Sequence, residues 1–142
     1  MTVRTRLSVA AAALALAVTG CSTSEANTAA ADVASVSEGI ASLDARQLGA
    51  LVDAGKVVLV DVRTPEEFAE GHIAGAVNMP LDQFEPGAVP QVADKQTVLY
   101  CRSGKRSLTA AEMLEDATGS AVHLAGGILA WQESGRSVTA LQ

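Results

Sequence analysis

Residues 97–107 read Thr97-Val98-Leu99-Tyr100-Cys101-Arg102-Ser103-Gly104-Lys105-Arg106-Ser107. A short apolar run gives way, at a cysteine, to a small, basic turn containing a glycine. Thr97 to Tyr100 has the continuous apolar character of a strand buried on both faces. Lys105 to Asp116 carries a helical pattern, so Cys101 stands between a buried strand and a helix start. In open parallel α/β sheets that place, just beyond the carboxyl end of a strand, is where ligands bind. A loop turning into a helix aims backbone N–H groups and the positive end of the helix dipole at whatever sits there. Arg102, Lys105 and Arg106 add positive charge. Together these favour a thiolate over a thiol and a nucleophile at neutral pH. Gly104 lets the backbone wrap closely around an anion.

Outward from this stretch, strand and helix signals alternate. Ser42 is read as the cap of a helix from Leu43 to Ala54, with Leu43, Leu48, Leu51 and Val52 on its buried side and Gly55 as its stop. Val57 to Val60 is a second buried strand. Thr64-Pro65-Glu66-Glu67 joins a capping residue, proline at the first helical position and glutamate three after the cap, starting a short helix that ends at Gly71. Ala76 to Met79 is a third strand, followed by a loop to residue 94. Ala121 to Leu124 is a fourth, then a Gly126-Gly127 turn and a last helix from Ile128 to Ser134. The alternation predicts an α/β domain with a central parallel sheet flanked by helices on both faces.

Composition narrows the function. The chain has 142 residues, 49% hydrophobic and 18% charged, which suits one globular domain. Its formal charge of −6 argues against nucleic acid as a partner. Four aromatic residues (Phe68, Phe84, Tyr100, Trp131) leave no stacking platform, and two cysteines cannot form a four-cysteine zinc site.

Residues 1–20 have the form of a leader. Arg4 and Arg6 precede an apolar run from Leu7 to Val18, the length of a signal-peptide core and too short to span a bilayer. The run ends at Val18-Thr19-Gly20-Cys21, which resembles the lipobox of bacterial lipoproteins, with Cys21 as the lipidated residue. Residues 21–39 then read as lipidated cysteine and flexible tether, and residues 40–142 as the domain. The expected product is extracytoplasmic and anchored by its lipid to the cell membrane or the periplasmic face of a membrane. Without the leader the charge is −8, and three of the eight remaining basic residues lie within five positions of Cys101. With Cys21 lipidated, Cys101 is the one free thiol. In an oxidising compartment such a thiol is either buried and inert or kept for its chemistry.

Asp61, at a strand end, is read as a structural acceptor for loop amides or a neighbouring arginine. Arg63 and Glu67 are read as a local pair beside the cleft, with donor binding a second role for Arg63. His72 and His123 are read as structural, and no metal site is expected. Gly126-Gly127 is read as permitting close backbone approach near the cleft floor, and Trp131 as a core anchor.

The segment Cys101 to Ser107 resembles the active-site loop of rhodanese (thiosulfate sulfurtransferase) domains. Other segments match in order: Val60-Asp61-Val62-Arg63; Glu66-Glu67-Phe68; Gly71 to Asn78 with Pro80; and Leu124 to Ile128 before Trp131. The resemblance covers residues 43–135 and implies a three-layer rhodanese-like fold. It implies that Cys101 takes the outer sulfur of a donor such as thiosulfate and becomes a persulfide. Arg102, Ser103, Gly104, Lys105, Arg106 and Ser107 would cradle it, with Arg102, Lys105 and Arg106 attracting the anionic donor. A thiophilic acceptor (cyanide or a thiol) would then remove the sulfur, with no cofactor and with a monomer as the simplest assembly. Phosphatases and arsenate reductases of related fold carry Cys-X5-Arg. Here the arginine falls at 106, giving Cys-X4-Arg, a shorter loop that suits sulfur better than phosphate. The other reading is a non-catalytic persulfide carrier or redox-partner binding module.

Overall fold

The computed structural model describes residues 39–141. The leader, Cys21 and nearly all of the tether lie outside the described residues. Five strands form one parallel sheet: β1 (Gly39–Leu43), β2 (Val57–Asp61), β3 (Val77–Asn78), β4 (Gln96–Tyr100) and β5 (Ser120–Leu124). The helices are α1 (Ala45–Asp53), α2 (Pro65–Glu70), α3 (Lys105–Thr118) and α4 (Gly127–Glu133), and single 3-10 turns occupy Leu81–Gln83 and Pro86–Ala88. The strand order is β1-β5-β4-β2-β3, with β4 in the middle. A central strand of a parallel sheet is covered on both faces, which is why Val98, Leu99 and Tyr100 are fully buried.

Alternation along the strands divides the core in two. Leu59, Val98, Tyr100, Val122 and Leu124 pack with Leu48 of α1 and Ile128 and Trp131 of α4. Val60, Leu99 and Ala121 pack on the other face with Ala110, Ala111 and Leu114 of α3 and with Phe84 and Val89. The expected sheet with helices on both faces is what the chain forms.

One element differs from the sequence reading. Ser42 caps no helix; it lies within β1, which runs parallel to β5. The cap of α1 is Asp44, whose carboxylate accepts from the amides of Arg46 and Gln47, while the Gln47 side chain returns to the Asp44 amide. Two capping residues lie two positions apart, and only the later one has a glutamine three positions on to complete the box. Leu43 accordingly contributes to the core from a strand and not from the helix. The second box falls where expected: Thr64 caps α2 with Glu67 reciprocating, and Pro65 stands at the first helical position.

Candidate functional site

The centre of the sheet delivers Cys101. Tyr100 is the last residue of β4, held by the Val62 amide donating to its carbonyl at 2.9 Å. Cys101 itself is 1% exposed and packs with Val60, Val62 and Leu99. Burial and chemistry are combined at this residue, because the sulfur accepts the Gly104 amide at 3.1 Å. Gly104 is in the left-handed region at φ 96°, a conformation that brings its N–H back over the thiol and that glycine adopts without a steric cost.

The loop is clamped from behind by the start of α4. The Ile128 amide donates to the Cys101 carbonyl at 2.8 Å, and the Leu129 amide to the Arg102 carbonyl at 3.2 Å. Free amides at a helix start thus find acceptors in the loop. Gly127 must be glycine for this contact, since a Cβ there would stand 2.4 Å from the Cys101 carbonyl oxygen. The close approach expected of Gly126-Gly127 is the one observed.

The basic residues divide by partner. Arg106 makes a two-pronged ion pair with Glu67 of α2, at 2.7 and 2.8 Å. Arg102 and Lys105 are exposed, and none of the described carboxylates pairs with them. They are the unpaired cations of the loop. Ser103 is exposed beside them, whereas Gly104 and Ser107 are buried. Arg63 does not pair with Glu67, contrary to the sequence reading. It turns back onto Asp61, donating from Nε and Nη2 at 2.6 to 3.0 Å, and its Nη2 also reaches the Gly71 carbonyl at 2.7 Å. Asp61 also accepts the Arg63 backbone amide at 3.0 Å. It therefore meets both expectations, a loop amide and a neighbouring arginine.

The Arg106 guanidinium holds the Glu67 carboxyl at about 2, against an ordinary 4.5. Both side chains are about a third exposed (35% and 30%), so solvent screens the pair to about 1 kcal/mol. A carboxylate depressed in the folded state stabilises fully above about 4.5, and loses that contribution as pH falls through about 2. Glu67→Gln is therefore expected to lower stability by about 1 kcal/mol at neutral pH. In urea titrations that deficit should shrink steadily as the pH is lowered from about 4.5 towards 2. A deficit independent of pH would contradict the ion-pair account.

A cleft of about 300 Å³ opens beside the loop, between Arg63, Glu67 and Glu70 on one side and Arg102, Leu129 and Gln132 on the other. The larger cavity, about 510 Å³, lies at the opposite end of the sheet among the first residues of β4 and β5, and no cysteine lines it. No group of three or more His, Cys, Asp and Glu among the described residues could hold a metal ion. His72 is fixed by stacking on Phe68, with ring centres 3.9 Å apart, and by its Nδ1 at 2.9 Å from the Phe68 carbonyl. The Trp131 indole donates to the Ser137 carbonyl at 3.0 Å from within the core. Sequence reading missed Ser42 and the hydrogen bonds that join it through His123 to Ser107.

The arrangement defines a class: parallel α/β domains that present a cysteine in a strand-to-helix loop with a backbone amide on the sulfur. Within that class, the family model for the rhodanese-like domain matches residues 44–134, and the chain belongs to that family. It is 38% identical over 91 residues to a sulfurtransferase of Allochromatium vinosum, covering 63% of this chain and 85% of that protein. It is 35% identical over 71 residues to the thiosulfate sulfurtransferase PspE of Escherichia coli, covering 49% and 68%. An uncharacterised Synechocystis protein is 46% identical over 80 residues, and the match spans 56% of this chain and less than half, 45%, of that relative. Among solved structures, a rhodanese-related protein of Thermoplasma volcanium superposes with a TM-score of 0.62 at 31% identity, covering 70% and 97% of the two chains.

Proposed function

We propose that the chain is a sulfurtransferase that carries sulfane sulfur on Cys101 from a thiosulfate-like donor to a thiophilic acceptor. The observation that carries this reading is the Gly104 amide donating to the Cys101 sulfur inside a loop whose two unpaired cations face solvent. In the first step the Cys101 thiolate attacks the outer sulfur of thiosulfate. A sulfur–sulfur bond forms to Cys101, the bond to the sulfonate breaks, and sulfite leaves with its electron pair. In the second step cyanide, or a thiolate, attacks the outer sulfur of the persulfide and leaves as thiocyanate or a new persulfide, restoring the Cys101 thiolate. This is covalent catalysis in two half-reactions. The Gly104 amide stabilises the negative sulfur in both, while Arg102 and Lys105 attract the donor and steady charge on the departing sulfite.

The lipid anchor at Cys21 and extracytoplasmic placement belong to the same proposal, supported by the basic start, apolar run and Val18-Thr19-Gly20-Cys21 sequence, with a monomer as the simplest assembly. Among the described residues no helix is long and apolar enough to cross a membrane.

The test is intact mass spectrometry of the chain before and after thiosulfate, and again after cyanide. The expected result is a gain of one sulfur atom on Cys101 that cyanide removes. A gain that cyanide leaves in place would favour the carrier reading. No gain with thiosulfate or with polysulfide would overturn the proposal.

A further inference from the structure

His123 and Ser42 are register partners on neighbouring strands, so their side chains share the face covered by α3. His123 is 6% exposed and stands between two hydroxyls: Ser42 Oγ lies 2.8 Å from its Nε2 and Ser107 Oγ 3.4 Å from its Nδ1. Ser107 has a single proton to give, and gives it to the Gly104 carbonyl at 3.1 Å. Toward the imidazole, Ser107 therefore presents lone pairs, and Nδ1 must carry a hydrogen. Burial pushes the His123 pKa down, so the ring is neutral at neutral pH and Nε2 is bare. Ser42 then donates to Nε2. Every hydrogen is used once, and each of the three side chains has one role. The opposite tautomer would set two lone pairs against each other, or draw the Ser107 proton away from Gly104.

From these contacts we infer that His123 is a positioning residue for sulfur transfer, acting through Ser107 on the Gly104 turn that donates to the Cys101 sulfur. The carbonyl that Ser107 holds belongs to the same glycine whose amide reaches the thiol. Gly104 sits at φ 96°, with the Gly126 amide 3.1 Å from where a Cβ would stand, so a turned peptide has little room to settle elsewhere. The Leu108 amide shares the Gly104 carbonyl at 3.0 Å, and the hydroxyl adds a second donor to it. His123 is the group that keeps that donor aimed. Its link to β1 through Ser42 extends the support of the loop to the far edge of the sheet.

This inference rests on the sulfurtransferase reading, and its test separates the two. In the wild-type chain labelled with 15N-histidine, NMR reads the tautomer directly. The Nδ1–H form is expected, and an Nε2–H form would overturn the inference whether or not the chain is active. The second arm compares two isosteres. Asparagine places its amide nitrogen near Nδ1 and keeps a donor to Ser107; glutamine places its polar end near Nε2 and keeps only Ser42. His123→Asn is expected to hold thiosulfate:cyanide kcat within about threefold of wild type, while His123→Gln loses about tenfold, the cost of one buried hydrogen bond. The KM for thiosulfate should stay within about twofold in both, because Arg102 and Lys105 are untouched. Equal losses in the two variants, or a rise in KM in place of a fall in kcat, would overturn it. A wild type that transfers no sulfur would count against the sulfurtransferase reading and leave the tautomer measurement standing.

Discussion

Cys101→Ser is expected to lower thiosulfate:cyanide turnover by at least about a thousandfold, while moving stability by no more than about 1 kcal/mol. Serine is a smaller relative of cysteine in shape, and its oxygen can still accept the Gly104 amide that lies 3.1 Å from the sulfur. The clamp from Ile128 and Leu129 engages backbone carbonyls and does not depend on the side chain at 101. What is lost is the chemistry, since a hydroxyl in this loop neither ionises readily nor forms a stable bond to sulfane sulfur. Cys101 is the free cysteine among the described residues, so no neighbouring thiol stands ready to replace it. Steady-state kinetics paired with urea unfolding would separate the two effects. Turnover equal to wild type in a folded Cys101→Ser protein would remove the persulfide mechanism.

The second large effect concerns the fold beneath the site. Asp61 is fully buried and Arg63 is 6% exposed, and their ion pair is closed at 2.6 Å. Tyr100 lies beneath the guanidinium, 5.9 Å from the ring centre, and burial keeps its phenol protonated while its oxygen accepts the Ile73 amide at 3.1 Å. Asp61→Ala would leave the buried Arg63 charge with the Gly71 carbonyl as its one remaining hydrogen-bond acceptor. Removing one member of such a pair costs about 3–5 kcal/mol, a large share of the roughly 5–15 kcal/mol that holds a domain folded. Urea denaturation should show a loss in that range with an unchanged slope, and a loss below about 1 kcal/mol would refute it. The damage should also reach the loop, since Val62, between the two, donates its amide to the Tyr100 carbonyl just before Cys101 at 2.9 Å.

These residues also show what a single sequence reveals. The strand-to-loop passage at Tyr100-Cys101 was legible because both signals are local, an apolar run and a glycine-containing basic turn. The same holds for the Thr64–Glu67 box, whose partners are three residues apart. Ser42 misled for the converse reason. A serine before an apolar residue has the look of a helix cap, and only β5, with His123 81 positions away, makes it part of a strand. Arg63 and Glu67 failed as a pair because each found a better-placed partner. Arg63 closed on Asp61 two residues back, while Glu67 was taken by Arg106, 39 residues on. Nothing in the spacing of charges records which helix start will face which. The loop's place between a strand and a helix was thus readable from its composition, and the division of its cations into paired and free was not.

The clamp on the loop has a consequence for the order of events during synthesis. Cys101 leaves the ribosome 26 residues before Gly127, whose close approach seats the amides of Ile128 and Leu129 on the Cys101 and Arg102 carbonyls. The first described strand, β1, likewise waits for β5 as its sheet neighbour. Pairings so distant along the chain are slow to close. The nascent protein therefore carries an unclamped Cys101 loop for much of its emergence, and the loop is seated only when late segments arrive.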